Sequence, residues 1–110
     1  MILVTLQNEV KEYHAPYCGV YAMSQEGKTN GKNTWLKGEY AIWYDSENEC
    51  WMIGQKNYIG NGTGESGIHS TIDAQNPTLV GNNWQYYLKD EFVEADPGDI
   101  IISNIDGNKH

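Results

Sequence analysis

Two runs of aromatic and β-branched residues constrain this chain more than any other feature. They are Gly38-Glu39-Tyr40-Ala41-Ile42-Trp43-Tyr44 and Cys50-Trp51-Met52-Ile53-Gly54, separated by the acidic, polar stretch Asp45-Ser46-Glu47-Asn48-Glu49. Runs of this kind around a polar connection form a β-hairpin with a solvated tip. Side chains alternate along a strand, so Tyr40, Ile42 and Tyr44 share one face while Ala41 and Trp43 share the other. Both faces therefore carry large apolar groups. The hairpin is expected to be central and covered on two sides, or to use one face as a binding surface.

The rest of the chain reads as short strands held by turns. Met1-Ile2-Leu3-Val4-Thr5-Leu6 opens as a strand, and the polar stretch from Gln7 to Tyr17 is expected to wrap over an edge, with Pro16 ending any regular structure. Cys18 to Met23 is a second strand. Asn30-Gly31 is the strongest short hairpin signal, because both residues tolerate the positive φ that a two-residue turn demands. Thr34 to Lys37, Ile68 to Ile72, Trp84 to Leu88 and Ile100 to Ser103 complete the set, with Tyr58-Ile59 as a tether inside a glycine-rich loop. Four Trp, eight Tyr and twelve Gly beside one Phe point the same way, and no apolar period of helical spacing runs for ten residues or more. The expected fold is all-β: a single small antiparallel β-sandwich or barrel-like domain, residues 1–110, of about seven or eight short strands.

Charge narrows the partners. Seven basic residues against fifteen acidic ones leave a formal net charge of -8. Nucleic-acid affinity rests on clustered cations, so a nucleic-acid partner is not expected. The opening apolar run is too short for a signal core, and no run reaches membrane-spanning length, so no membrane insertion is expected. Cys18 and Cys50 would either close one disulfide or stay as two buried, inert thiols, and the second reading is favoured.

Gly19-x-Tyr21, Asn30-Gly31-Lys32, Trp35, Glu39-Tyr40-x-Ile42-x-Tyr44, Trp51-x-Ile53, Ser70, Pro77 and Trp84 succeed one another in an order that resembles a small aromatic, glycine-rich β module. Such modules recur, often in tandem, in multidomain proteins of marine invertebrates and protists. The resemblance spans about two-thirds of the chain and leaves Met1–Tyr13 and Lys89–His110 unmatched. The typical turn there is Asn-Gly-Arg and the next aromatic a tyrosine; here Lys32 and Trp35 stand instead, so a role requiring a guanidinium fork does not carry over. The matching motifs are turn glycines and core aromatics, which implies a non-catalytic module.

Catalytic and cofactor signatures fail in their local context. Ala22-Met23-Ser24-Gln25-Glu26-Gly27-Lys28-Thr29 loosely fits a phosphate loop, but Asn30-Gly31 puts a turn where a helix is needed. Gly62-Thr63-Gly64-Glu65-Ser66-Gly67 spells G-x-G-x-x-G, yet Ile68 to Ile72 alternates as a strand and no βαβ unit fits around it. His14, Cys18, Cys50 and His69 have no metal-ligand spacing. Asp45, Glu47 and Glu49 could form a weak calcium cradle, and Asp90, Glu91, Glu94, Asp96 and Asp99 a second acidic group; a solvated loop explains both. Asn61-Gly62-Thr63 is a glycosylation triplet. No catalytic residue, metal ligand or cofactor is assigned.

Aromatics are the better lead. Trp43, Trp51 and Trp84 are expected to build the core with Ile42 and Ile53, leaving Trp35 as an exposed platform beside the Asn-Gly turn. The sequence thus describes a non-enzymatic binding or interaction module whose ligand is a neutral glycan or a peptide segment of a partner protein. Trp35, Tyr40, Tyr44 and Tyr58 would be platforms, with Asn30, Asn33 and Asp45 as orienting groups. Two alternatives stand beside it: a structural subunit that self-associates, and a small acidic inhibitor that occupies a basic site on a partner.

Overall fold

The aromatic hairpin forms as the pattern requires. In the computed structural model, which describes residues 1–25, 28–60 and 66–105, strands Tyr40–Asp45 and Cys50–Gln55 pair antiparallel in unbroken register from Tyr40↔Gln55 to Asp45↔Cys50. Every residue from Ala41 to Gly54 that lies on these two strands is buried. The hairpin is central and covered on both sides.

Nine strands are present among the described residues. They are β1 (Ile2–Leu6), β2 (Gly19–Met23), β3 (Trp35–Lys37), β4 (Tyr40–Asp45), β5 (Cys50–Gln55), β6 (Ser66–Ser70), β7 (Trp84–Leu88), β8 (Glu91–Glu94) and β9 (Ile100–Asn104). They form one antiparallel sheet in the order β8-β7-β6-β5-β4-β3-β2-β1-β9. Every neighbour is also a neighbour in sequence except β9, which returns to lie along β1.

That return dictates the shape. A flat sheet of nine strands would hold its two edges about 38 Å apart, at ~4.8 Å per neighbour. The chain joins those edges between Glu94 and Ile100, and six Cα steps reach at most ~21 Å. The sheet must curl, and it does, into a half-barrel. A register shift at Ile53/Gly54, where β5 meets β6, adds local bend.

The seam between the two edges is closed by a short helix, α1 (Asn8–His14). Gln7 N–H donates to Asp99 O at 2.9 Å and Asn8 Nδ2 to Asp99 Oδ1 at 2.7 Å, tying the helix start to the β9 side. Tyr86 OH donates to Glu9 Oε1 at 3.3 Å and His14 Nε2 to Tyr87 O at 2.8 Å, tying it to β7. Val10, fully buried, anchors the helix in the core. The polar stretch expected to wrap over an edge does so as a helix, followed by a 3-10 turn over Ala15–Tyr17. With only Val10 buried, no apolar period exists to announce it.

A second correction concerns β8. The sequence reading places its residues in an acidic loop, but Glu91–Glu94 pairs with β7. The turn between them, Lys89-Asp90, takes positive φ at both positions (49° and 74°) without a glycine. The charged ends of β8 suit an outer edge, where they discourage pairing with another chain. The expected Asn30-Gly31 turn is present, with φ of 55° and 83° and the Thr29↔Lys32 bridge beside it; no helix follows Lys28. The sixth strand starts and ends two residues earlier than its alternation suggests.

Two apolar clusters result. The concave side holds Val4, Leu6, Tyr21, Ile42, Trp51, Ile53, Ile68, Trp84 and Ile102, among others. The convex side of β4 and β5 holds a smaller one, Ala41, Trp43, Cys50 and Met52, against which Leu36, Tyr58 and Ile59 pack. Tyr58-Ile59 is therefore a tether, as its sequence suggests. Cys18 and Cys50 are free thiols. Among the described residues no helix is long and apolar enough to cross a membrane.

Candidate functional site

At one end of the half-barrel, β1, β2, β3 and β9 terminate around a groove of about 230 Å³. Trp35 and Ile2 lie at its base, Met1 and Met23 form the sides, and Asn33, Asn76 and Asn104 with Thr78 supply the polar rim. Strand parity explains the membership: Ile2, Met23 and Trp35 sit on inward positions of adjacent strands, in the registers Ile2↔Tyr21 and Met23↔Trp35. Met1 and Met23 are 61% and 45% exposed, so flexible thioether chains stand in solvent on either side. Asn76 is fixed from within the chain, its Oδ1 accepting from the Thr78 N–H at 2.9 Å and from the Thr78 hydroxyl. Its amide hydrogens have no partner among the described residues. Among the described residues, no ionisable side chain lines the groove.

The floor is rigid. Trp35 packs at 5.9 Å between ring centroids on Trp51, which meets Tyr44 at 5.3 Å. Trp51 Nε1 donates to Ala74 O at 2.8 Å, and its backbone N–H to Ser70 Oγ at 2.8 Å. Tyr44 OH donates to Asp73 Oδ1 at 2.8 Å. The loop that carries Asn76 is therefore pinned to the aromatic triplet beneath it.

The residues expected to form one surface are divided among four places. Trp35 and Asn33 reach the groove. Trp35 is not an exposed platform, however: it is 7% exposed, because the Trp35↔Ile42 register turns the ring inward onto Trp51. Tyr44 is likewise buried, with Lys32 Nζ 4.9 Å from its ring centre and Asn30 Nδ2 donating to its carbonyl at 2.7 Å. Asp45 is buried and caps the hairpin tip, accepting from Glu47 N–H at 3.1 Å and from Asn48 Nδ2 at 2.8 Å. Each of its oxygens thus accepts one hydrogen bond from the turn.

Tyr40 lies at the far end of β4 from Tyr44, four residues or about 13 Å away. It lines a separate cleft of about 190 Å³ with Tyr13, His14, Pro16, Tyr17 and Gln55. Tyr58 packs on the convex cluster. Met1, Met23, Asn76 and Asn104 carry no signal in the sequence, since each is an ordinary strand-end or turn residue. A further group on the convex side escapes sequence reasoning too: His69, Phe92 and Tyr87 form a ring chain at 4.4 and 5.3 Å. Burial holds the His69 imidazole below its usual value. Among the described residues, no three His, Cys, Asp or Glu side chains gather as a metal site would require. The glycosylation triplet and most of the G-x-G-x-x-G run lie outside the described residues.

Four phenols, those of Tyr17, Tyr21, Tyr44 and Tyr86, respond to their surroundings in one direction. Burial, reinforced by the bond to Asp73, pushes Tyr44 up to about 12. Burial raises Tyr17 and Tyr21 as well, and Tyr86 is raised by burial and then by the Glu9 carboxylate. Burial also pushes the Cys50 thiol up to about 11, with Asp45 and Asp73 adding to it, which keeps that sulfur protonated and unreactive. The fold thus holds these phenols neutral, while unfolded tyrosine ionises near 10. Above that pH the unfolded chain binds fewer protons than the folded one, so stability falls as pH rises. The contribution is intact below about pH 10 and is lost as pH passes through about 12 for Tyr44. Urea midpoints should hold level to about pH 9.5 and then drop, with a shallower drop in Tyr44→Phe. Parallel declines in the two proteins would remove Tyr44 as a cause.

No family model, curated protein or solved structure matches the chain.

Proposed function

We propose that the chain is a non-enzymatic interaction module whose groove holds a neutral, extended peptide segment of a partner protein. The observation that carries the reading is the composition of the groove: carboxamides of Asn33, Asn76 and Asn104 over an apolar floor, between two methionines, with no ionisable side chain among the described residues that line it. Carboxamides offer a donor and an acceptor each, the complement of a peptide backbone. Methionine accommodates varied apolar side chains. Among the described residues the same groove has no side chain suited to act as a general base or acid, which favours contact over bond-making. A peptide suits it better than a glycan, because stacking on a sugar needs an open ring face and Trp35 presents little of its own.

An array of uncharged eight-residue peptides, probed beside a glycan array, tests this. Selected peptides should bind the parent and lose about 3–10-fold in affinity for each of Asn33→Ala and Asn104→Ala, the worth of one net hydrogen bond. Binding confined to glycans, or peptide binding untouched by both substitutions, would overturn the assignment.

A further inference from the structure

The cationic side chains of this acidic chain are unevenly used. All seven are lysines. Lys32 lies over Tyr44, and Lys37 sits 5.4 Å from the centre of Tyr40 while donating to Pro16 O at 3.0 Å. Lys28 and Lys56, far apart in sequence, instead line one cleft of about 420 Å³ on the convex face of the sheet, roomier than either the groove or the tyrosine cleft. Its floor is Leu36 and Ile59, its walls include Thr29, Thr34 and Asn57, and no carboxylate lines it among the described residues.

Two of its hydroxyls are bonded to each other: Thr34 is 4% exposed, and its hydroxyl donates to Thr29 Oγ1 at 2.9 Å, which leaves the Thr29 proton to point elsewhere. Beneath, Trp43 belongs to the same apolar cluster as Leu36 and Ile59, and its buried indole N–H has no partner among the described residues. Two lysines with the Thr29 and Asn57 donors thus line this cleft. On a chain of net charge -8, an anion is repelled by the average surface and favoured only where cations gather locally.

We infer that the Lys28–Lys56 cleft binds a small tetrahedral oxyanion, as inorganic phosphate or as the phosphate monoester of a small molecule. The two ammonium groups supply charge, Thr29 and Asn57 supply hydrogen bonds, and the Leu36–Ile59 floor would meet the organic part of an ester. This site is independent of the groove proposed above. Met23, Asn33 and Trp35 face the groove, whereas their neighbours Ser24, Thr34 and Leu36 face the cleft, so the two lie back to back across β2 and β3.

Backbone and indole N–H signals titrated with inorganic phosphate, phenyl phosphate and sodium chloride at matched ionic strength provide the test. Both phosphates should give saturable shifts at Thr29, Thr34 and the Trp43 indole that chloride does not reproduce. Affinity should fall about tenfold in Lys28→Met or Lys56→Met and vanish in the double variant. Tighter binding of phenyl phosphate identifies an ester as the ligand; equal or weaker binding identifies the free anion. Both lysines are exposed, so the variants should keep the parent spectrum elsewhere, and Asn33→Ala should titrate as the parent does. Shifts that chloride reproduces, or a folded double variant that still binds as the parent, would overturn the site.

Discussion

Trp51→Ala should leave the chain at the margin of folding at room temperature. Trp51 is fully buried on the concave side, edge-on to Tyr44 and tilted against Trp35. Removing a buried tryptophan costs about 3–5 kcal/mol through lost transfer energy and the cavity left behind. Its indole N–H also satisfies Ala74 O, and a buried carbonyl left without a donor adds about 1–3 kcal/mol. Small domains hold only about 5–15 kcal/mol in total, so the sum removes a large part of it. Trp51→Phe separates the two terms, since it keeps an aromatic ring and deletes only the donor and part of the volume. Urea unfolding followed by far-UV circular dichroism should show a much lowered or absent transition for the alanine variant and an intermediate one for phenylalanine. An alanine variant within about 1 kcal/mol of the parent would show that the aromatic triplet is not what holds this end closed.

Gly67→Ala should destabilise by about 1–3 kcal/mol, the range for overpacking a filled interior. A Cβ at that position would lie 2.6 Å from Tyr17 Cε2 and 2.9 Å from its hydroxyl. The tyrosine has little room to yield. Its ring stacks on His14 at 5.6 Å and meets Tyr40 edge-on at 5.1 Å, and its backbone carbonyl accepts from Tyr21 OH at 2.8 Å. Gly67 has no left-handed backbone, so the expected loss is steric and not conformational. A double-mutant cycle with Tyr17→Leu tests the cause: with the ring removed, the added methyl should cost much less. Additive losses in the double variant would place the strain elsewhere. The glycine that ends a chance G-x-G-x-x-G match is therefore explained by the neighbour occupying the space of its missing side chain.

Much of the local structure is legible in the sequence. The period-two aromatic pattern marks the β4–β5 hairpin, Asn30-Gly31 marks a turn of its own, and Trp43, Trp51 and Trp84 are expected in the interior with Ile42 and Ile53, where they are. They do not share one core: Trp43 sits on the convex cluster and the other two on the concave one. That division follows from strand parity once the sheet is known to curl, and parity alone does not say which side is inside. Trp35 shows the same limit. A tryptophan beside a turn suggests a platform, and only the register with Ile42 reveals that it faces inward.

The candidate sites are less legible, because each assembles residues from distant parts of the chain. Asn33, Asn76 and Asn104 are unremarkable singly and become a rim only when β9 returns beside β1. Lys28 and Lys56 become a pair only when the segment after β5 folds back over the convex face.

Eight of the nine strands, the Asn30-Gly31 turn and the residues able to fill an interior were determined by the sequence itself; β8 and its glycine-free Lys89-Asp90 turn were not. The former depend on side-chain alternation and backbone preference among residues a few positions apart. The curl, the choice of concave face, the helix across the seam and the pairing of the last strand with the first were decided only in three dimensions. Those features rest on chain reach and on contacts spanning the length of the chain, as Asn8 with Asp99 does, and no local pattern encodes such distances.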